Sequence, residues 1–205
     1  MKRRFATAAV LTALLVAGGC ESTGSIDKKV EPGALKSTGL VLFTVTHDMD
    51  KDHPWAANVK LFVQLRDLDK GIDLPRAFSN METLAPMMSS SFDKVWGRYF
   101  VRELPAGHYA FTGWSVEQTV ALRIDSYRPK KPVPPLAFEV VAGSVTYVGN
   151  VHGRLAWRDV MSLAGAMPEI RNEDKRDLAL ILTEYPQLQG KVVVSPLRQG
   201  SWLPE

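Results

Sequence analysis

From Leu40 onward apolar residues recur at every second position, and this alternation commits most of the chain to strands. Val41, Phe43 and Val45 alternate with Leu42, Thr44 and Thr46. Val59, Leu61, Val63 and Leu65 alternate with Lys60, Phe62, Gln64 and Arg66. Tyr99 and Val101 stand between Arg98, Phe100 and Arg102, and Tyr109 and Phe111 begin another run. The longest run is Val145, Tyr147, Gly149, Val151, Gly153, Leu155 and Trp157. Two glycines on one face predict a bend or break near Gly149 or Gly153. Ala142-Gly143-Ser144 lies between Phe138–Val141 and Val145–Val151 and reads as a hairpin turn.

The period then changes. Leu178, Ile181, Leu182 and Tyr185 share one helical face, which predicts a helix over 173–185. Asn172 is the expected N-cap, Glu173, Asp174 and Asp177 complement the positive helix start, and Pro186 stops it. One amphipathic helix has to lie on a sheet to hide its apolar face. Val192–Val194 offers a last short strand. The expected fold is mainly β: an antiparallel β-sandwich of about seven strands over 40–205, with the C-terminal helix packed on it. Trp96, Trp114 and Trp157 are expected in its core, Trp55 and Trp202 at its surface. No βαβ alternation occurs, which argues against a Rossmann-type nucleotide site.

The first twenty residues follow other rules. Lys2-Arg3-Arg4 precedes the uncharged apolar stretch Phe5–Ala17, which is too short for the roughly 20 residues that span a bilayer. Ala17-Gly18-Gly19-Cys20 closes it with the only cysteine of the chain. A lone cysteine excludes an intrachain disulfide and a cysteine-based zinc site. The segment resembles the bacterial lipobox, with Ala17 where Leu is usual. The resemblance implies a signal peptide over 1–19, acylation of Cys20 and a lipid-anchored body. Glu21 in place of Asp implies the outer membrane, facing the periplasm. Residues 20–39 read as a flexible polar tether with a reach of about 25 Å, unless Val30 or Leu35 docks on the body.

Charge supports this division. The net of +3 comes from 25 basic and 22 acidic residues. Without Lys2, Arg3 and Arg4 the basic count is 25 less 3, or 22, and the balance is zero. The chain lacks the basic footprint of a nucleic-acid-binding protein.

Candidate chemistry is sparse. His47, Asp48, Asp50, Asp52 and His53 fall between two expected strands and form a candidate metal or small-ligand loop. An EF-hand does not fit, because His53 stands where Gly is needed and Val59 where the bidentate Glu belongs. The plain alternative is a solvated tip of acidic turn formers. His108 and His152 are expected at the surface. Met81, Met87 and Met88 flank Ser89-Ser90-Ser91, without the elbow of a serine hydrolase. These methionines pack under a loop, bind copper(I) through their thioethers or meet a partner adaptably. Lys130 and Lys131 lie in the basic, proline-rich stretch Arg128–Pro135, a link between strands or a contact for anionic headgroups or an acidic partner.

Leu104-Pro105-Ala106-Gly107-His108-Tyr109, followed by Phe138-Glu139-Val140-Val141-Ala142-Gly143-Ser144-Val145-Thr146-Tyr147-Val148-Gly149, resembles bacterial envelope lipoproteins with a small prealbumin-like or carboxypeptidase-regulatory-like sandwich. The resemblance covers roughly residues 40–157 and implies a fold and a binding or scaffolding role, without catalytic residues. The expectation is a non-enzymatic envelope lipoprotein, without cofactor, anchored through Cys20 and docking another envelope protein. The alternative is metal or ligand binding at His47–His53.

Overall fold

The computed structural model describes residue 26 and residues 29–50, 52–80, 90, 92–120 and 123–205. Cys20, Met81, Met87 and Met88 lie outside the described residues. Twelve strands are described: β1 (Thr38–Asp48), β2 (Val59–Asp67), β3 (Ile72–Asp73), β4 (Ala77–Phe78), β5 (Val95–Pro105), β6 (Gly107–Val120), β7 (Arg123–Tyr127), β8 (Leu136–Val140), β9 (Val145–Trp157), β10 (Leu163–Arg171), β11 (Val192–Val194) and β12 (Gly200–Ser201). The helix α1 (Asp174–Glu184) lies between β10 and β11. One six-stranded sheet runs β12-β10-β9-β1-β5, with β11 beside β9. The other runs β3-β2-β6-β7, with β4 beside β2 and β8 beside β6.

The described residues are therefore mainly β with one α-helix. The count of about seven strands and the all-antiparallel pairing are not what is found, because β9 runs parallel to both β1 and β11. Strands as short as β3, β4 and β12 carry too few residues for an alternation to register. The expected hairpin at Ala142-Gly143-Ser144 is instead a crossing between sheets, since β8 pairs with β6 and β9 pairs with β1. Pro105-Ala106 is a second crossing, from β5 in the first sheet to β6 in the other.

Inward-facing residues of β1 explain the core. Val41, Phe43 and Val45 meet Val59, Leu61, Val63, Leu65 and Phe111 of the facing sheet. Phe43 stacks on Phe100 at 5.0 Å and meets Phe111 edge-on at 5.1 Å. The other face of β1 is covered too. Leu40 and Leu42, with Val101, Val145 and Tyr147, lie under Ile181, Tyr185 and Leu188. Burial on both faces is the usual state of a strand with a parallel neighbour and a helix above it. Trp202 is buried, its indole Nε1 donating to the Pro134 carbonyl, where exposure was expected.

The helix starts at Asp174, one residue later than expected, and Glu173 rather than Asn172 occupies the cap, without a side-chain capping bond. Glycine decides two local features. Gly149, at φ +118°, takes up the extra residue where the β1/β9 register shifts between Leu42 and Phe43, the bend the sequence predicts there. Gly39 lets the β8/β9 crossing approach β1, since a Cβ there would stand 2.4 Å from the Val141 carbonyl oxygen. Ahead of β1 the chain is docked. Val30 and Leu35 pack with the α1 cluster, and Lys191 pairs with Glu31 at 3.0 Å.

Gly39→Ala is expected to lower stability by about 1–3 kcal/mol, as backbone has to give way. Gly113→Ala, where a Cβ meets nothing within 4 Å, is expected to stay within about 0.5 kcal/mol of the parent. Urea unfolding midpoints of the two variants check this.

Candidate functional site

The residue pattern of β1 sets up the polar chemistry of the molecule. After Leu40 and Leu42 its outer face continues as Thr44, Thr46 and Asp48, while β9 brings Tyr147, Asn150 and His152 alongside. Thr44, Thr46, Asn150, His152 and, from α1, Asp177 are all buried. Buried polar groups need partners, and here they find one another. The Asn150 amide Nδ2 lies 2.6 Å from Thr44 Oγ1 and 3.0 Å from Thr46 Oγ1. Thr44 Oγ1 donates to Asp177 Oδ2 at 2.6 Å, and the Tyr147 hydroxyl donates to the same oxygen at 2.6 Å. Thr46 Oγ1 lies 2.8 Å from His152 Nδ1, and His152 Nε2 lies 3.0 Å from Asp48 Oδ1. Asp48 Oδ2 accepts the Leu155 amide at 2.8 Å.

The direction of these bonds follows from the two ends. An ionised carboxylate only accepts, so hydrogens have to point outward to Asp48 and to Asp177 from somewhere between. Asn150 is the one member with two hydrogens on one atom. Its amide donates to both threonines. Thr44 passes its hydrogen to Asp177, and Thr46, whose Oγ1 also lies 3.2 Å from Asn150 Oδ1, passes its own over the shorter 2.8 Å to His152 Nδ1. His152 then carries its proton on Nε2, facing Asp48. These hydrogen positions are assigned from the carboxylates at the two ends.

At the Asp48 end the electrostatics agree with that direction. Burial raises Asp48, but the His152 and Leu155 hydrogen bonds outweigh it and hold the carboxyl below its ordinary value. Burial lifts Asp177 above its ordinary value, opposed by Thr44, Tyr147 and Arg176. Arg176 Nε donates to Asp177 Oδ1 at 2.8 Å. Burial, and then the charge of Asp177, raise the Tyr147 hydroxyl, which keeps it a donor.

Asp48, His152 and Thr46 have the order of an acid–base–nucleophile triad. The hydroxyl at its end, on the ninth residue of β1, is fully buried. The arrangement ties α1 to the sheet and fixes the pairing of β1 with β9.

The candidate metal loop is dispersed. His47 faces inward from β1, fully buried, with Nδ1 accepting from the Ser79 hydroxyl at 2.7 Å and Nε2 donating to the Ala56 carbonyl at 3.0 Å. Ser79 Oγ in turn accepts the Leu61 amide. Asp48 points to the opposite face of the same strand, onto His152. Asp50 and His53 do come together, Oδ2 to Nδ1 at 2.6 Å, with the His53 ring stacked on Trp157 at 4.6 Å. Asp52 is exposed and gives its amide to Asp50 Oδ1. Among the described residues no group of three or more His, Cys, Asp or Glu side chains is placed to hold a metal ion. Lys130 and Lys131 are exposed, Lys131 reaching the Glu205 carbonyl at 3.4 Å. His108 is exposed as expected and paired with Asp69. His152 is buried instead of lying at the surface, because α1 and its neighbours cover the face that alternation marked as polar.

Sequence reasoning missed the role of Asp177, taking it as a complement to the helix dipole. A signal was present, since Asp177 lies on the same helical stripe as Ile181 and Leu178. An acid on an apolar stripe has to meet donors.

No family model matches the chain, and no curated protein matches it. A solved leucine-rich repeat protein from Bacteroides thetaiotaomicron aligns over 57% of this chain and 14% of that chain, at 12% identity and a TM-score of 0.33. A similarity of that size carries no argument about fold or function.

Two expectations follow. Asn150→Asp keeps the shape but removes both central donors and adds a buried charge, and is expected to cost about 3–5 kcal/mol. Asn150→Ala is expected to cost less, about 1–3 kcal/mol. Equal unfolding midpoints for the two variants would overturn the assigned direction. Burial pulls His47 down from 6.5 to about 4. Above pH 6.5 it is neutral folded and unfolded. As pH falls, the unfolded chain gains this proton first, so up to ~3 kcal/mol of stability is lost between pH 6.5 and 4. Urea midpoints across that window are expected to flatten in His47→Gln.

Proposed function

We propose that the chain is a bacterial envelope lipoprotein, anchored through an acylated Cys20 and acting as a non-catalytic binding or scaffolding module. One observation carries the non-catalytic part. The groups suited to acid, base or nucleophile work are engaged within the protein: His47 with Ser79 and the Ala56 carbonyl, His152 with Thr46 and the half-exposed Asp48, and Asp177 with Thr44. Thr46, His47, His152 and Asp177 are moreover buried, away from any substrate at the surface. The anchor rests on the lipobox-like Ala17–Cys20 and on the charge balance of the remainder. The two-sheet body is read as an elaborated form of the prealbumin-like or carboxypeptidase-regulatory-like sandwich. Leu104–Tyr109 supports this as a corner, with the Tyr109 hydroxyl closing onto the Pro105 carbonyl at 3.0 Å. The outer membrane, with the body facing the periplasm, is the proposed location, and another envelope protein the proposed partner.

Metabolic labelling with radioactive palmitate, followed by membrane fractionation, tests the anchor. The parent chain is expected to carry label and sediment with membranes. Cys20→Ala is expected to lose the label and to keep residues 1–19. An unlabelled parent found free in the periplasm would end this reading.

A further inference from the structure

The two sheets part along one side of the molecule. There β8 and the stretch after β11 leave a groove of about 510 Å³, lined by Leu136, Phe138, Val141, Val193 and Leu197 among others. That volume lies within the range of small-ligand sites. Its floor is the inter-sheet core, since Leu197 belongs to the core cluster and Leu136 and Phe138 pack against it. Its lining is polar and apolar in nearly equal parts, the exposed apolar part being Val141 and Val193 at 53% and 59% exposure above that floor. Arg198 and Glu139 also line it, on the post-β11 and β8 sides respectively, and both are exposed.

Position identifies the occupant. The Val141 carbonyl lies against Gly39 at the start of β1, and the Pro32 and Leu35 carbonyls lie beside Gly143. Residues Val30 and Glu31 contact Gln187 and Lys191, which lead into β11. The described segment ahead of β1 therefore lies at the end of the body that holds the groove. Cys20 and Ile26 are separated by six positions, at most about 20 Å of extended chain. The exposed Val160 and Met161, in the turn after β9, lie at the other end of that strand, about 40 Å away.

We propose that this groove seats an acyl chain of a membrane phospholipid, so that the body rests on the bilayer its anchor occupies. The inference rests on the anchored reading above. The apolar floor takes the hydrocarbon. Arg198 and Glu139 match the phosphate and ammonium of a phosphoethanolamine head across the groove mouth. The long axis of β9 then points the Val160–Met161 turn away from the membrane.

The test uses the acylated full chain with Val193→Cys or Val160→Cys, each labelled with a polarity-sensitive fluorophore. The probe membrane is a vesicle of phosphatidylethanolamine and phosphatidylglycerol carrying brominated acyl chains. Emission at position 193 is expected to fall at least about twofold on vesicle binding, while position 160 stays unchanged, as insertion reaches only the headgroup–acyl boundary. Co-flotation without quenching at 193, or quenching at 160 instead, overturns the groove assignment. Failure to co-float at all overturns the anchor itself. Quenching at 193 that persists with vesicles of phosphatidylglycerol alone overturns the phosphoethanolamine head.

Discussion

β1 is buried on both faces, and the rest of the molecule is arranged to cover it. Its inner residues need the second sheet, and its outer residues need α1 and the residues packed around it. Its edges need β5 on one side and β9 on the other. No neighbouring pair of strands in sequence satisfies these demands, so the chain shuttles between sheets. It passes from β1 to the β2–β4 group, back to β5, across to the β6–β8 group, and back again to β9. The two tight crossings, Pro105-Ala106 and Ala142–Ser144, lie at the same end of β1 and hydrogen-bond to the residues that lead into it. The Ala106 amide donates to the Ser37 carbonyl, and the Gly143 amide to the Thr38 carbonyl.

A dry outer face of β1 would slide against α1 with little penalty, because Leu and Val contacts have no direction. The hydrogen-bonded line through Asn150 removes that freedom. A one-residue slip would leave Asp177 or His152 without its partner at a cost of about 1–3 kcal/mol or more. Apolar residues hold the helix down at the Leu40 end, and the polar line fixes where it lies at the Thr46 end. Burying so many polar groups adds little net stability on its own. Its effect is on which pairing is allowed.

The sequence was informative about elements and poor about their company. The period-two runs located β1, β2, β5, β6 and β9, and the period-3.6 run located α1 to within a residue at each end. Alternation records which residues differ in polarity, not which are covered. Thr44, Thr46 and His152 therefore read as a wet face and prove to be an interior one. The Ala142–Ser144 turn illustrates the same limit. Its residues specify a reversal of direction, and whether the returning strand joins the same sheet depends on partners a hundred residues away. Asp177 and Trp202 were misread for a related reason. Each is satisfied by a partner (Thr44 or Tyr147 for one, the Pro134 carbonyl for the other) that is remote in sequence.

The parallel pairing of β1 with β9 has a consequence for when this chain acquires structure. The first long strand cannot complete its sheet until residues 145–157 exist, nor cover its outer face until Ile181 and Tyr185 arrive. Contacts of that sequence separation make for slow folding, since loop closure has to precede any gain. During synthesis β1 can pair with β5, and β2 with β6, before residues 145–157 exist, but the second edge and the outer face of β1 stay open until then. For the exported lipoprotein proposed above, a topology that leaves β1 half-covered until its last strands are made defers full closure of the body to the end of synthesis.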